Sequence, residues 1–317
     1  MRAVFLDQQT FKDEVSFAAI SAQLSQITHY RLTSPKDIVQ RCQQADIVIT
    51  NKVVLTKKIL SQLPELKLIC IAATGTNNVD IDAARALNIA VTNVSRYARH
   101  SVSQYVFAQI LEYYNQTSHH LKNTRQGLWQ HSETFCYHGN KITELAGKAI
   151  GIIGYGHLGQ AVAHIAKAFD MQVLIAERPN AESVRGDRLP FNKVIEQADI
   201  LTLHCPQTPE TEQLIDQKVL QAMKPSAMLI NTARGAIIDD NALIAALEQH
   251  QIAYAVLDVL DQEPPSDSHP LIQCDLPNLK LTAHIAWASI EAQQRLIDII
   301  GDNIAAFNGG IMLNRVD

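Results

Sequence analysis

One short motif constrains the fold of this chain more than any other: three glycines with the spacing Gly-x-Gly-x-x-Gly, at Gly154, Gly156 and Gly159. A continuous apolar run at 149–153, typical of a buried strand, precedes the motif, and an amphipathic stretch typical of a helix follows it at 158–168. The glycines permit a tight turn and let a pyrophosphate approach the backbone. Free N–H groups at the start of the helix, those of His157 and Leu158 among them, then face the phosphates. This strand, turn and helix predict a dinucleotide-binding unit.

An acidic residue, Glu177, follows the next predicted strand, about 20 residues beyond the glycines, where dinucleotide-binding folds place a carboxylate. We expect Glu177 to accept hydrogen bonds from the hydroxyls of the adenosine ribose. A carboxylate at this place also repels a 2′-phosphate, so it favours NAD over NADP. The simpler alternative is a solvated acid at a strand end, and the neighbouring Arg178 could turn toward a 2′-phosphate and soften the preference.

Short β-branched runs alternate with amphipathic stretches along the 317 residues, a pattern typical of βαβ units and a parallel sheet. The alternation comes in two series. The first has predicted strands at 3–6, 46–50, 68–72 and 89–92. The second has predicted strands at 149–153, 172–176, 199–203, 228–231, 253–258 and 279–282. The chain is therefore predicted to be of the α/β class, with two Rossmann-like, doubly wound parallel-sheet domains.

The two series are joined by a long amphipathic stretch at 101–121, predicted to be one helix, and a final helix is predicted at 290–307. We expect the substrate domain to be discontinuous, formed by residues 1–99 and 289–317. The NAD-binding domain is expected to fill residues 100–288.

The composition argues against several other classes of protein. Lysine and arginine total 27 against 32 acidic residues, a net charge of −5, so the chain has no excess of positive charge for binding nucleic acid. No apolar stretch approaches the roughly 18 residues that span a bilayer. The N-terminal residues 1–11 are predicted to form a first strand and not a signal peptide.

Five cysteines are scattered along the chain without a Cys-x-x-Cys pair, which predicts free thiols rather than disulfides. The neighbouring His119 and His120 have no third ligand close by in the sequence, so no metal site is predicted. These features favour a soluble, cytoplasmic protein.

Three side chains of complementary chemistry follow predicted strand ends in the second series: Arg234, Glu263 and His284. Ligands of open α/β sheets bind beyond the carboxyl ends of the strands, so these side chains fall where a substrate is expected. A cation, an acid and an imidazole are the groups that reduction of a ketone beside a carboxylate requires. Taken singly, each has a simpler explanation: a surface ion pair, a loop acid and a core histidine.

Five motifs follow one another along the chain: the glycine motif, His204-Cys205-Pro206 with Thr208 to Thr211, Asn231 to Gly235, Asp258-Val259 with Glu263-Pro264, and Thr282-Ala283-His284. In this order and spacing the chain resembles the D-isomer-specific 2-hydroxyacid dehydrogenases over essentially its whole length. Within that family it is most similar to the branch of glycerate dehydrogenases and hydroxypyruvate reductases. The stretches that carry the branch resemblance are residues 73–80, 127–135 and 284–289.

The resemblance implies a role for each member of the trio. His284, hydrogen-bonded to Glu263, would be the acid–base residue that protonates the substrate carbonyl as NADH delivers a hydride. Arg234 would bind the carboxylate of a small 2-keto or 2-hydroxy acid. Further substrate contacts are implied for a loop in the other domain, made of Thr74, Gly75 and Thr76.

The resemblance also implies the surroundings of the NAD cofactor. Asp258 would accept the carboxamide of the nicotinamide. Further cofactor contacts are implied for His204, Cys205, Pro206, Thr211, Thr232 and Ala233, with Arg234 and His284 beside them. The active site is expected in a cleft between the domains. A homodimer is expected, joined through the cofactor domain, with the irregular segment after Leu121 as an arm.

Several assignments stay open at this point. D-lactate, phosphoglycerate and formate dehydrogenases share the motifs, although the formate branch carries glutamine at the position of Glu263 and many phosphoglycerate enzymes have a further C-terminal domain. Outside enzymes, the alternative is a non-catalytic, NAD(H)-sensing protein of the co-repressor type. We expect hydroxypyruvate to be preferred, then glyoxylate, ahead of pyruvate. Polar candidates for contact with a C3 hydroxyl are Asn77, Asn78, Arg96 and Ser289.

Overall fold

A computed structural model describes all of residues 1–317 and divides the chain into two compact units. The first unit consists of two separate stretches, Met1–Ala98 and Trp287–Asp317, and the second unit is Arg99–Ala286. The sequence places the two boundaries one and two residues further along the chain.

The first unit contains a five-stranded sheet in which all neighbouring strands are parallel. Its strands are β1 (Arg2–Phe5), β2 (Gln26–His29), β3 (Ile47–Thr50), β4 (Leu68–Ile71) and β5 (Ala90–Thr92), in the spatial order β2-β1-β3-β4-β5. Strands β3 and β4 are buried at every residue. Continuous burial is expected of a parallel sheet that is covered on both faces, and it explains the unbroken apolar runs in the sequence.

The helices of the first unit come from both stretches of chain. They are α1 (Ala18–Ser21), α2 (Ile38–Cys42), α3 (Lys57–Leu60), α4 (Ile81–Ala86) and the C-terminal helix, Ile290–Asn308. Gly301 of the C-terminal helix allows a close approach to α1, because a Cβ there would stand 2.8 Å from the carbonyl oxygen of Ala19. The side chain of Gln293 accepts a 2.9 Å hydrogen bond from the N–H of Lys12. These contacts explain why the last stretch of chain belongs to the first unit.

The second unit contains a six-stranded sheet that is also parallel throughout. Its strands are β6 (Ala149–Ile153), β7 (Gln172–Ile175), β8 (Ile200–Leu203), β9 (Met228–Asn231), β10 (Tyr254–Leu257) and β11 (Leu279–Leu281), in the order β11-β10-β9-β8-β6-β7. The strand order reverses between β6 and β8, and such a switch point is where open α/β sheets bind ligands. The parallel sheets of the two units confirm the predicted α/β class.

The helices of the second unit are α5 (Arg99–Asn115), α6 (Thr117–Arg125), α7 (His157–Ala168), α8 (Phe191–Gln197), α9 (Gln217–Ala222), α10 (Asp240–Glu248) and α11 (Pro270–Gln273). The prediction of one helix at 101–121 is wrong, because α5 and α6 are separate. Gln116 stands between them with a φ of +53°, in the left-handed region, which ends the first helix.

The remaining regular elements are three short 3-10 turns, Gln8–Thr10, Pro35–Asp37 and Gly235–Ile237. None of the helices combines the length and the apolar character that crossing a bilayer requires.

Candidate active site

The glycine motif lies at the switch point of the second sheet, between β6 and α7. Gly154 has a φ of +92°, and a Cβ on it would stand 2.4 Å from the backbone nitrogen of Cys205, so glycine is required there. A Cβ on Gly159 would stand 2.3 Å from the carbonyl oxygen of Gly154. A Cβ on Gly156 would meet nothing within 4 Å, so this glycine borders open space instead of protein.

The start of α7 faces this open space without a side-chain cap. His157 and Leu158 are its first residues, and the first N–H groups of a helix have no partner within it. Uncapped N–H groups and an open approach at the second glycine are what a pyrophosphate needs. The residues present therefore fit a dinucleotide.

Two buried polar atoms at neighbouring strand ends have no hydrogen-bond partner in the protein: Nδ1 of His204 after β8, and Oγ1 of Thr232 after β9. The other ring nitrogen of His204, Nε2, lies 2.9 Å from the hydroxyl of Thr202. Burial lowers the pKa of His204 to about 4, so its imidazole is neutral at neutral pH. Buried polar atoms without partners are rare, and these two suit contacts to a bound cofactor.

The loop that follows His204 is held in shape by one hydroxyl. Oγ1 of Thr211 donates to the carbonyl oxygen of Pro206 at 2.7 Å and accepts the N–H of Thr208 at 2.8 Å. Burial raises the pKa of the Cys205 thiol to about 11, so the thiol is protonated and is no nucleophile at neutral pH. The close approach of Cys205 to Gly154 places this loop beside the glycine motif.

Glu177 lies just beyond β7, but its carboxylate is engaged within the protein. Its side chain is 1% exposed, and it forms a two-point ion pair with Arg185, in which Nε donates to Oε2 at 2.8 Å and Nη2 donates to Oε1. The backbone N–H groups of Arg178 and Arg185 also donate to the carboxylate, at 2.8 and 3.2 Å. The hydrogen bonds from Arg185 hold the pKa of this carboxyl well below its usual range. The carboxylate that the sequence assigns to the ribose hydroxyls is thus already occupied by Arg185.

His284 and Glu263 are in direct contact. Nδ1 of His284 lies 2.6 Å from Oε2 of Glu263, and Oε1 of Glu263 accepts the N–H of Leu260 at 3.1 Å. Because an ionised carboxylate only accepts, Nδ1 carries the proton and Nε2 is the ring nitrogen left for exchange with a ligand. The two side chains are 26% and 31% exposed, so a small ligand can reach them.

Asp258 fixes the backbone on which His284 stands. Its carboxylate accepts the N–H groups of Ile285 and Ala286, at 2.9 and 2.8 Å, and the hydroxyl of Thr282 at 2.6 Å. Its carbonyl oxygen accepts the N–H of His284 at 2.7 Å. These bonds hold His284 at a φ of +53°, which few residues other than glycine adopt. The resemblance implies that Asp258 binds the nicotinamide carboxamide, and this role stays a prediction. The structure shows that the buried carboxylate of Asp258 holds the turn of His284.

Arg234 follows β9, and its turn packs against the loop that leads to Glu263. A Cβ on Gly235 would stand 1.9 Å from the carbonyl carbon of Leu260, so the two backbones touch. One guanidinium nitrogen of Arg234, Nη1, donates to the carbonyl oxygen of Ala233 at 2.7 Å. The guanidinium has further donors with which it can bind a carboxylate. The structure therefore brings the loops of Arg234 and Glu263 together.

Sequence reasoning missed one residue of this network, Tyr105 on α5. Its hydroxyl lies 2.5 Å from the hydroxyl of Thr282, which in turn donates to Asp258. Burial raises the pKa of Tyr105, so the phenol is neutral at neutral pH. The sequence offers no signal for this role, because a tyrosine in a predicted helix has the pattern of an ordinary core residue.

The predicted substrate-binding loop, residues 74–76, belongs to the first unit and follows β4. The hydroxyl of Thr74 donates to the carbonyl oxygen of Val94 at 2.8 Å. Two of the polar candidates for a C3 hydroxyl have structural partners: Asn78 donates to the loop after β3, and Ser289 caps the C-terminal helix. The role of this loop in substrate binding stays a prediction.

The chain is similar to known proteins along its full length. Residues 107–286, within the second unit, match the family model described as D-isomer specific 2-hydroxyacid dehydrogenase, NAD binding domain. The chain is 40% identical to a glycerate dehydrogenase of Methylorubrum extorquens, with 100% of this chain and 99% of that protein covered. It is 34% identical to a hydroxypyruvate reductase of Blautia hydrogenotrophica, with 90% and 89% covered. A crystal structure of a Thermus thermophilus protein superimposes with a TM-score of 0.85 at 30% identity, covering both chains completely.

Proposed function

The chain belongs to the D-isomer-specific 2-hydroxyacid dehydrogenase family, and on that premise we propose that it reduces hydroxypyruvate to D-glycerate, and glyoxylate to glycolate, with NADH. It is an NAD-dependent oxidoreductase that acts on CH–OH groups. The observation that carries the proposed chemistry is the 2.6 Å hydrogen bond between His284 and Glu263, which orients a proton donor. The choice of keto acid is supported by the similarity to a glycerate dehydrogenase and a hydroxypyruvate reductase.

The proposed reaction divides between the cofactor and the chain. Bound NADH supplies the hydride that reduces the keto carbon. His284 donates a proton from Nε2 to the carbonyl oxygen, while Glu263 stabilises the imidazolium and fixes the ring. Arg234 binds the substrate carboxylate with its planar guanidinium and polarises the neighbouring carbonyl. In the direction of oxidation, His284 accepts the proton of the substrate hydroxyl.

The cofactor is proposed to lie along the switch point of the second sheet. The glycine motif and the first N–H groups of α7 would hold its pyrophosphate. His204 and Thr232, which have unpaired buried atoms at the ends of β8 and β9, are the candidates for contacts nearer the nicotinamide.

A series of keto acids tests the proposed substrate. With NADH, kcat/KM should be highest for hydroxypyruvate, lower for glyoxylate, and lowest for pyruvate and phenylpyruvate. A site that hydrogen-bonds the C3 hydroxyl should favour hydroxypyruvate over pyruvate by roughly 10-fold or more, because pyruvate leaves a buried polar group unpaired. Faster turnover of pyruvate or phenylpyruvate contradicts the choice of substrate, whereas no turnover of any 2-keto acid favours the NAD(H)-sensing alternative.

A cytoplasmic location is also part of the proposal. All five cysteines are free thiols, and Cys42 and Cys70 are buried in the core of the first unit. Free thiols persist in a reducing compartment. Fractionation of cells that produce the protein tests this location, and recovery from a secreted fraction contradicts it.

We further propose a homodimer joined through the second unit. The segment after α5 exposes apolar side chains to solvent: Leu121, Leu128, Trp129, Phe135 and Ile142. Phe135 is 91% exposed, and a concentration of such side chains is typical of an interface. Sedimentation equilibrium should give a dimer that Phe135→Ser weakens. A monomer at micromolar concentration contradicts the proposal.

A further inference from the structure

We propose that Arg185 sets the cofactor selectivity of this enzyme: by pairing with Glu177, it allows NADPH to bind with an affinity within about 30-fold of that of NADH. The proposal concerns the adenosine end of the cofactor. It goes beyond the proposed function, because it does not depend on which keto acid is reduced.

The carboxylate of Glu177 has no acceptor position to spare. Oε2 accepts Nε of Arg185 at 2.8 Å and the backbone N–H of Arg185 at 3.2 Å. Oε1 accepts Nη2 of Arg185 and the backbone N–H of Arg178, the latter at 2.8 Å. A carboxylate offers about four acceptor positions, so the protein fills them all. The carboxylate therefore has no acceptor position left for the ribose hydroxyls, whose hydrogen bonds to it are the usual source of a preference for NAD.

Because of this pairing, positively charged side chains face the solvent beside Glu177. The side chain of Glu177 is 1% exposed and that of Arg185 is 55% exposed, so the guanidinium and not the carboxylate faces the solvent. Nη1 of Arg188 lies 3.8 Å from Oε1 of Glu177, and Arg178 is exposed beside it. The charge of Arg178 acts in turn on Glu210. The guanidinium groups of Arg185 and Arg188 thus lie beside one buried carboxylate, and exposed Arg178 follows it in the chain.

A 2′-phosphate is suited to this surface. Arg185 has five N–H donors, and Glu177 takes one on Nε and one on Nη2, so two on Nη1 and one on Nη2 remain for a further acceptor. Guanidinium groups bind phosphate in a planar, two-point geometry. The acids of the same loop, Glu182 and Asp187, form no ion pair with these arginines. A 2′-phosphate can therefore meet Arg185 while Arg185 stays on Glu177.

Direct binding measurements test the proposal without any keto acid. The dissociation constants of NADH and NADPH are measured by fluorescence for the wild type, Arg185→Ala and Glu177→Gln. Calorimetry with 5′-AMP and adenosine 2′,5′-bisphosphate repeats the comparison on the adenosine end alone. Arg85→Ala is the matched control, since Arg85 is 58% exposed and pairs with Asp82 in the first unit.

The wild type is expected to bind NADPH less than about 30-fold more weakly than NADH, because an unmasked carboxylate would cost more than that. Arg185→Ala uncovers Glu177. It should raise the ratio of the NADPH dissociation constant to the NADH dissociation constant more than about 5-fold, while NADH still binds. Glu177→Gln should change the ratio less than about 5-fold, because the charge that it removes is already paired. Arg85→Ala should leave the ratio unchanged.

Three results would overturn the proposal: a wild-type ratio above about 30-fold, a smaller rise than about 5-fold in Arg185→Ala, or a fall of more than about 5-fold in Glu177→Gln. The last result means that Arg185 leaves Glu177 when the cofactor binds, so that the carboxylate faces the ribose. If Arg185→Ala fails to fold, the wild-type and Glu177→Gln ratios still decide. A failure with hydroxypyruvate has no bearing on these ratios, so the two proposals fail separately.

Discussion

His284 combines an imidazole that is hydrogen-bonded to Glu263 with a left-handed backbone conformation. A positive φ is energetically unfavourable for a histidine, so its surroundings must hold it in that conformation. Asp258 does so through the N–H groups that follow His284, and Glu263 fixes the ring through Nδ1. The direction of Nε2 is therefore set by two acids and not by the histidine alone.

Replacing the histidine tests this arrangement at the level of one residue. His284→Ala should lower kcat by roughly 10²–10⁴, because the positioned proton donor is lost. The affinity for NADH, measured by fluorescence, should stay within about 3-fold, since the proposed pyrophosphate site is the glycine motif and not His284. His250→Ala is the matched control, because His250 has the same φ of +53° but is exposed at the end of α10. Near-normal turnover by His284→Ala contradicts the assignment.

At the scale of residues, the sequence predicted which side chains belong to the site better than it predicted all of their hydrogen-bond partners. His284 and Glu263 were predicted as a pair and lie 2.6 Å apart, since their motifs follow neighbouring parallel strands. The partner of Glu177 was not predictable in the same way. Arg185 lies eight positions further along, in a loop whose path no periodic pattern describes. The sequence therefore predicts a carboxylate at the strand end but not its ion pair.

At the scale of elements, the glycines between β6 and α7 differ in what surrounds them. Gly154 and Gly159 touch backbone, whereas Gly156 borders open space. Gly154 and Gly159 therefore serve the packing of the turn, and Gly156 leaves room for a ligand to approach the backbone.

Two alanine substitutions separate these roles. Gly159→Ala should lower the free energy of unfolding by about 2 kcal/mol or more, because its Cβ would press on the carbonyl of Gly154. Gly156→Ala should change that free energy by less than about 1 kcal/mol. It should nevertheless weaken NADH binding about 10-fold, since its methyl group enters the approach to the pyrophosphate. Urea denaturation and fluorescence titration give the two quantities, and unaltered NADH affinity in Gly156→Ala speaks against the cofactor site.

The elements that the sequence did not predict lack a periodic apolar signal. Strand β2 has one apolar residue in four and lies at the edge of its sheet, where only one neighbour is needed. The break between α5 and α6 depends on the φ of Gln116, and glutamine is no marker of a left-handed conformation. Strands buried on both faces, such as β3, were predictable because burial demands a continuous apolar run.

At the scale of the whole molecule, the partly buried acid Asp240 is expected to link the free energy of unfolding to pH. Asp240 begins α10, and its side chain is 14% exposed. Burial, and then the charge of Asp261, raise the pKa of Asp240 from its usual 3.8 to about 6. Nε2 of His269 lies 3.6 Å from Asp240 but only 2.7 Å from Asp261, and the hydrogen bond from His269 lowers the pKa of Asp261. Asp239, which caps the helix, adds a further like charge.

These shifts predict how stability changes with pH. Between about pH 4 and pH 6 the folded chain binds more protons at Asp240 than the unfolded chain does, so the free energy of unfolding should fall as pH rises through this window. This loss of unfolding free energy should amount to about 2–3 kcal/mol and be complete above pH 6. The contribution of Asp261 to the unfolding free energy changes only below the usual pKa of an aspartate. Asp240→Asn cannot ionise and should be more stable than the wild type near pH 8 but not near pH 4. Asp82→Asn, at a 91% exposed acid in the first turn of α4, should show no such difference. Urea denaturation near pH 4 and near pH 8 measures the free energy of unfolding of each variant. Equal stabilities of the wild type and Asp240→Asn near pH 8 would show that Asp240 ionises in the folded chain without cost.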